Sequence, residues 1–304
     1  MRPFRSLIVP IALLSFALPA RAEEEPDTDV DEEAPPAYAD VVTEDAVTSK
    51  GLFHVHRTDE ALLFEIPNEL LGRDMLLVSR IARVPADLGG GFMAAGHKTG
   101  EQVLRWERVG DRVLLRKVSH RNVADPEQPI YRSVINNNFF PIIASFDVEV
   151  EGPEGEPKTT VVIDVMSFFE KDIPAVSGLS ASIRERYEIK SLDEDRSFLN
   201  RAKAYPLNVE VRHTLTYKAS EPPVDAGTQT ISMEMHQSMI LLPEEPMRIR
   251  YADPRVGWFT VTRRNFGLDR QKAAEEEFLR RWRLEPSDPD AYARGELVEP
   301  VQPI

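Results

Sequence analysis

Apolar and polar residues alternate along much of this chain. Gly51-Leu-Phe-His-Val-His56 and Ala61-Leu-Leu-Phe-Glu-Ile66 read as two half-buried strands around a turn at Thr58-Asp-Glu60, and so as a hairpin. Asn68 and Gly72 bracket a short turn or single helical turn over residues 67–73, and residues 75–84 form a third, more apolar strand. Gly89-Gly-Gly91 with Gly96 marks a flexible loop. Residues 102–108 and 112–118 alternate on either side of Gly110-Asp111, a two-residue turn signal that predicts a second hairpin. Residues 139–150 and 159–165 flank Gly152-Pro-Glu-Gly155 in the same manner. Two long alternating runs, 208–217 and 229–242, enclose a Pro/Gly loop at 220–227.

Three stretches read as helical. Ser167-Phe-Phe-Glu170 starts a short helix. Residues 193–204 have few breakers before Pro206. Residues 268–282 place Ala274, Phe278 and Trp282 four apart, as one apolar helical face. No repeat has a fixed period, and no βαβ alternation appears. The expected class is α+β, mainly antiparallel β, with about nine strands in hairpins and a few short helices. Met233, Met235, Met239 and Met247 are read as core packing.

Composition narrows the setting. The 304 residues include no cysteine, which removes disulfides, thiolate metal sites and cysteine nucleophiles together. Residues 1–22 read as a signal peptide: Arg2 and Arg5 precede an apolar run at 7–18, and Ala20-Arg21-Ala22 fits a small-x-small cleavage site. That run is too short for a stable membrane span, which takes about 20 residues. Export to periplasm, outer surface or medium is the expectation. Residues 23–47 carry eleven acidic groups, three prolines and no Lys or Arg, and are expected to form a disordered acidic linker. The remainder, 48–304, holds 34 basic and 40 acidic residues, so the formal charge of −14 sits mainly in the linker. A body so charged has no basic footprint for nucleic acid.

Catalytic signatures are sparse. The histidines are His54, His56, His97, His120, His213 and His236; no two are four apart and none precedes Glu, so the His-Glu-x-x-His zinc helix is absent. There is no Gly-x-Ser-x-Gly elbow. His54 and His56 are a weak metal candidate: on a strand, i and i+2 share a face, but two imidazoles without a third donor make a poor zinc site. Arg250, Asp253 and Arg255 belong to a turn in which Asp253 folds onto its own backbone and Pro254 fixes φ. Three readings stand: an ion-paired structural turn, a docking turn, or a latency device in which Asp253 meets a zinc ion.

A series of short elements runs along the chain in order: Lys50-Gly-Leu-Phe-His-Val-His56, Phe64-Glu-Ile-Pro67, Leu70-Leu-Gly-Arg73, Leu77-Val-Ser-Arg80, Ile130-Tyr-Arg-Ser-Val134, Phe146-Asp147 and Val162-Ile-Asp-Val165. Then come Tyr205-Pro-Leu-Asn-Val209, Ser238-Met-Ile-Leu-Leu-Pro243 and Asp253-Pro-Arg-Val-Gly257. Together, in this order, they resemble the N-terminal region of a family of large bacterial secreted zinc-dependent metalloproteases with a metzincin-type catalytic domain. The resemblance implies two adjoining modules of unknown function: a short β module at 48–90 and a larger β-rich α+β module at 91–285. Residues 286–304 would then be an extended, proline-rich connector to a catalytic domain outside this chain. It implies zinc in that missing domain, no cofactor or catalytic residue here, and the catalytic domain, in cis or separately encoded, as partner. It attaches no zinc role to the His-x-His pair. Two rivals remain: a free-standing secreted peptide- or glycan-binding module, and a hydrolase whose site has no sequence signature.

Overall fold

The computed structural model describes residues 36–152, 159–223, 228–268 and 272–301. The expected signal peptide, the first part of the expected acidic linker, residues 153–158 with most of the Gly152–Gly155 turn, residues 224–227 of the 220–227 loop, residues 269–271 of the expected 268–282 helix and the last three residues lie outside them.

Within the expected linker the described residues include α1 (Tyr38–Val41). In chain order there follow β1 (Val47–Lys50), β2 (His54–Arg57), β3 (Leu62–Pro67), β4 (Asp74–Arg83), β5 (Lys98–Val109), β6 (Arg112–Val118) and β7 (Asn122–Val123). Then come α2 (Ile130–Asn136), β8 (Ile142–Asp147), β9 (Val150–Glu151), β10 (Thr160–Asp164), α3 (Met166–Glu170) and α4 (Ala181–Arg186). The described chain closes with β11 (Ile189–Leu192), β12 (Phe198–Tyr205), β13 (Asn208–Ala219), β14 (Thr230–Leu241), β15 (Thr260–Asn265), β16 (Ala274–Leu279) and α5 (Pro289–Ala293). The class is α+β, mainly antiparallel β.

Three sheets result. The small sheet runs β1-β2-β3-β10-β9. The large sheet runs β11-β13-β14-β4-β5-β6-β8, with β12 also paired to β13. The third sheet, β16-β15-β7, joins β15 to β7 in parallel; the other pairings are antiparallel. The chain changes sheet between β3 and β4 and returns at β9, because β8 pairs with β6 while β9 pairs with β10. The expected 139–150 strand is therefore two strands, bent apart at Val148, whose N–H bonds to Asp111.

The main core lies between the small and large sheets. Val55, Leu62, Phe64, Ile66, Val161 and Ile163 alternate toward Leu77, Leu104, Trp106, Leu115, Val211 and Met239. Phe53 and Phe64 meet Trp106 at 6.5 and 6.4 Å between ring centroids, and the Trp106 indole N–H donates to Met239 Sδ. Met233 and Met235 are buried in the adjoining cluster, as core packing requires.

Two expected helices are strands. Residues 193–204 begin with a single 3₁₀ turn, Glu194–Arg196, and continue as β12, which turns at Pro206-Leu207 to pair with β13. Residues 274–279 form β16, whose Glu275 and Glu276 face Arg264 and Arg263 of β15. In both, pairing along the full length of the strand with a neighbour outweighed a helical spacing of few residues. Gly89-Gly-Gly91 is not loose: it lies in a tight turn with positive φ at all three, and the Gly89 N–H donates to the buried Tyr187 hydroxyl. Residues 286–301 contain α5 and a Pro286–Pro300 bridge rather than a fully extended run.

Candidate functional site

The back of the small sheet carries the most concentrated chemistry. One face of β2, β3 and β10 fills the core. On the opposite face β3 holds Glu65, directly across from His54 in the hairpin register. His56, two residues along β2, shares that face, and Thr160 reaches the same place from β10. The donor atoms of His54, His56 and Glu65 all lie within 4.8 Å of one another. Sequence reasoning found the two histidines and missed Glu65. A carboxylate inside the apolar run Leu62-Leu-Phe-Glu-Ile66, placed opposite His54 by the hairpin turn, was the available signal.

The carboxylate is closely surrounded. Glu65 Oε2 lies 2.9 Å from His56 Nε2, 2.9 Å from the Tyr38 hydroxyl that donates to it, and 3.3 Å from His54 Nδ1. Thr160 Oγ1 donates to Oε1 at 2.9 Å, and Thr48 Oγ1 meets His56 Nδ1 at 2.8 Å. The Glu65 side chain is 2% exposed while that of His54 is 42% exposed, so the cluster opens to solvent at one corner. Burial alone would raise the Glu65 carboxyl. Hydrogen bonds from His56, Thr160 and Tyr38, with His54 nearby, outweigh it and hold the group down at about 2. Burial, then the bond to Glu65, pushes the Tyr38 hydroxyl up to about 12. Gly152 makes room: a Cβ there would stand 1.4 Å from Thr160 Oγ1 and 2.9 Å from Glu65 Oε1.

The turn at Arg250, Asp253 and Arg255 is partly as expected. Asp253 Oδ1 accepts from the Arg255 N–H at 3.0 Å and from Arg255 Nε at 2.9 Å, and this pairing keeps the Asp253 carboxyl below its ordinary range. Arg250 stands apart from the pair; its carbonyl accepts from the Leu279 N–H of β16.

Around this turn the chain buries very little. Over residues 249–301, Ala274 and Ala291 are the buried residues among those described. Ile249, Tyr251, Val256, Val261, Trp282, Leu284 and Tyr292 are exposed, with Trp258 at 61%, Phe259 at 77% and Leu297 fully open. One groove of about 910 Å³ passes Tyr251, Val256, Trp258 and Leu268; another of about 790 Å³ passes Met247, Ile249, Val261 and Phe278.

The remaining histidines serve structure or surface. His213 is buried, with Gln237 bridging its Nε2 to Ser79 and to the Val176 carbonyl. Burial pushes its imidazole down to about 4. His120 Nε2 bonds to Asp74 at 2.7 Å, and Asp74 also pairs with Arg105. His236 pairs with Glu210 at 2.6 Å. No helix among the described residues is long and apolar enough to cross a membrane.

Comparison with known proteins gives two matches. Residues 96–287, more than half of the chain, match the family model described as a domain of unknown function, DUF5117. Residues 35–84 match a second, DUF5118, also described as a domain of unknown function. No curated protein and no solved structure matches the chain.

Proposed function

The chain belongs to the DUF5117 family, and from that premise we propose that it is the non-catalytic N-terminal region of an exported zinc-dependent, metzincin-like metalloprotease. In this role it supports, gates or keeps latent a catalytic domain, in cis or separately encoded, that supplies the zinc. The observation that carries the reading is the uncovered apolar surface of residues 249–301. A segment whose described residues bury little more than two alanines has little to offset its chain entropy, and large exposed apolar areas mark contact sites. The family resemblance read from the sequence supplies the identity of the partner. The lack of a His-Glu-x-x-His helix leaves the chain without a protease zinc motif.

The test is direct. The purified chain should hydrolyse no peptide by itself. It should bind a catalytic domain carrying His-Glu-x-x-His encoded downstream or nearby, and Trp258→Ser with Phe259→Ser should weaken that binding at least tenfold. Chelator-sensitive peptide hydrolysis by the chain alone, or binding indifferent to both substitutions, overturns the reading. The same exposed aromatic side chains also favour a second reading, a free-standing peptide- or glycan-binding module. Retention on a peptide or glycan array in the absence of any protease domain distinguishes it.

A further inference from the structure

We propose that His54, His56 and Glu65 form a site for one divalent transition-metal ion of the zinc class. The site lies on the small sheet, outside residues 249–301, so its success or failure is independent of the docking reading.

The geometry suits such an ion. Zinc binds imidazole nitrogen and carboxylate oxygen at about 2.0–2.2 Å, which places tetrahedral donors roughly 3.3 Å apart. Glu65 Oε2 stands 2.9 Å from His56 Nε2 and 3.3 Å from His54 Nδ1, and all three donors fall within 4.8 Å. The three come from two paired strands, so the sheet ladder rather than a loop fixes their spacing.

The hydrogen bonding points the same way. Oε2 of Glu65 is approached by the Tyr38 hydroxyl, which donates to it, and by ring nitrogens of His56 and His54 at 2.9 and 3.3 Å, three polar atoms around an atom with two lone pairs. A cation among the donors relieves that crowding. Each imidazole then gives a lone pair to the metal, and Tyr38 keeps the remaining oxygen site. The outer contacts suit the change. With His56 Nε2 bound to metal, Nδ1 carries the proton and donates to Thr48 Oγ1, a hydroxyl able to donate or accept. Thr160 holds the other carboxylate oxygen.

The donor set selects the ion class. Two nitrogens and one carboxylate favour zinc, cobalt, nickel or iron(II) over calcium and magnesium, which take oxygen shells. Three protein donors leave a coordination position, and the half-exposed His54 edge is where water or a partner's side chain would complete it.

The experiment uses the full chain, stripped with chelator and dialysed. Zinc is followed by calorimetry and cobalt(II) by its visible absorption. One equivalent of each should bind, cobalt should give the intense bands of a four- or five-coordinate site, and zinc should raise Tm. His54→Ala changes a half-exposed residue and should keep the chelator-treated Tm while losing at least tenfold in affinity and the zinc-dependent rise. His97→Ala, on an exposed histidine elsewhere, should bind as the parent does. Absence of stoichiometric binding, or a His54→Ala chain that binds as tightly as the parent, overturns the proposal.

Discussion

Phe64 and Trp106 meet nearly edge-to-face, their ring centroids 6.4 Å apart and their planes at 74°. Phe64 lies in the stretch matched by one family model and Trp106 in the stretch matched by the other, so the two share a core. Trp106→Ala should cost about 3–5 kcal/mol, the usual range for emptying a large aromatic site. Thermal or urea unfolding of the variant measures it. A single transition should persist in the parent for residues 36–241; two separable transitions would show that the halves fold independently.

Gly152→Ala should disturb the polar cluster behind the small sheet. The added methyl cannot coexist with Thr160 Oγ1 at 1.4 Å, so Thr160 must rotate and release Glu65 Oε1. Overpacking of this kind costs about 1–3 kcal/mol. A lowered Tm measures it, and Thr160→Ala in the same background should recover part of the loss.

His213 makes stability depend on pH. Its imidazole is held near 4 in the fold, against an ordinary 6.5. Between those values the unfolded chain binds the proton and the folded one does not, so stability rises with pH across the window. The contribution is complete above about 6.5 and is lost as pH falls toward 4, on the order of 3 kcal/mol in all. Urea titrations at pH 7, 5.5 and 4.5 should follow this slope, and His213→Gln should flatten it.

Arg263 and Glu276 pair across β15 and β16 at 2.8 Å, with the Arg263 guanidinium 4.7 Å from the Phe278 ring centre. Reversing one charge, Arg263→Glu, should weaken the hairpin by about 1 kcal/mol or more, since like charges directly opposite repel. Amide exchange at residues 260–265 should accelerate. Adding Glu276→Arg should restore most of the protection.

Trp258→Ser and Phe259→Ser should each leave unfolding within about 0.5 kcal/mol of the parent, because both side chains are largely exposed. A larger loss would mean these rings hold the hairpin together rather than face a partner. Comparative melting of the two variants decides it.

Much of the fold was legible where a run alternates over many residues. The β2–β3, β5–β6 and β13–β14 hairpins were readable from pattern and turn residues, with Gly110 at positive φ in the second. Legibility failed where local spacing and distant pairing disagreed. Ala274, Phe278 and Trp282 sit four apart, yet Glu275 and Glu276 between them have arginines opposite on β15, and Glu277 has Thr262. Leu199, Ala202 and Ala204 look helical until β13 is placed beside them. The polar cluster was half visible. His54 and His56 stand out as a pair, whereas Glu65 gains meaning only when the register sets it across from His54. Tyr38 was hidden by composition, since acidic neighbours made its segment look unstructured.

The neighbours chosen by β3 and β4 also bear on heredity. β3 leans on β10 and β4 on β14, so each of the two matched stretches lends the other a sheet partner. A crossover in the gene between those stretches would hand its descendants raw strand margins, which invite aggregation. Lineages should therefore transmit the pair intact, and a genome that keeps the first stretch alone should have sealed those margins by other means.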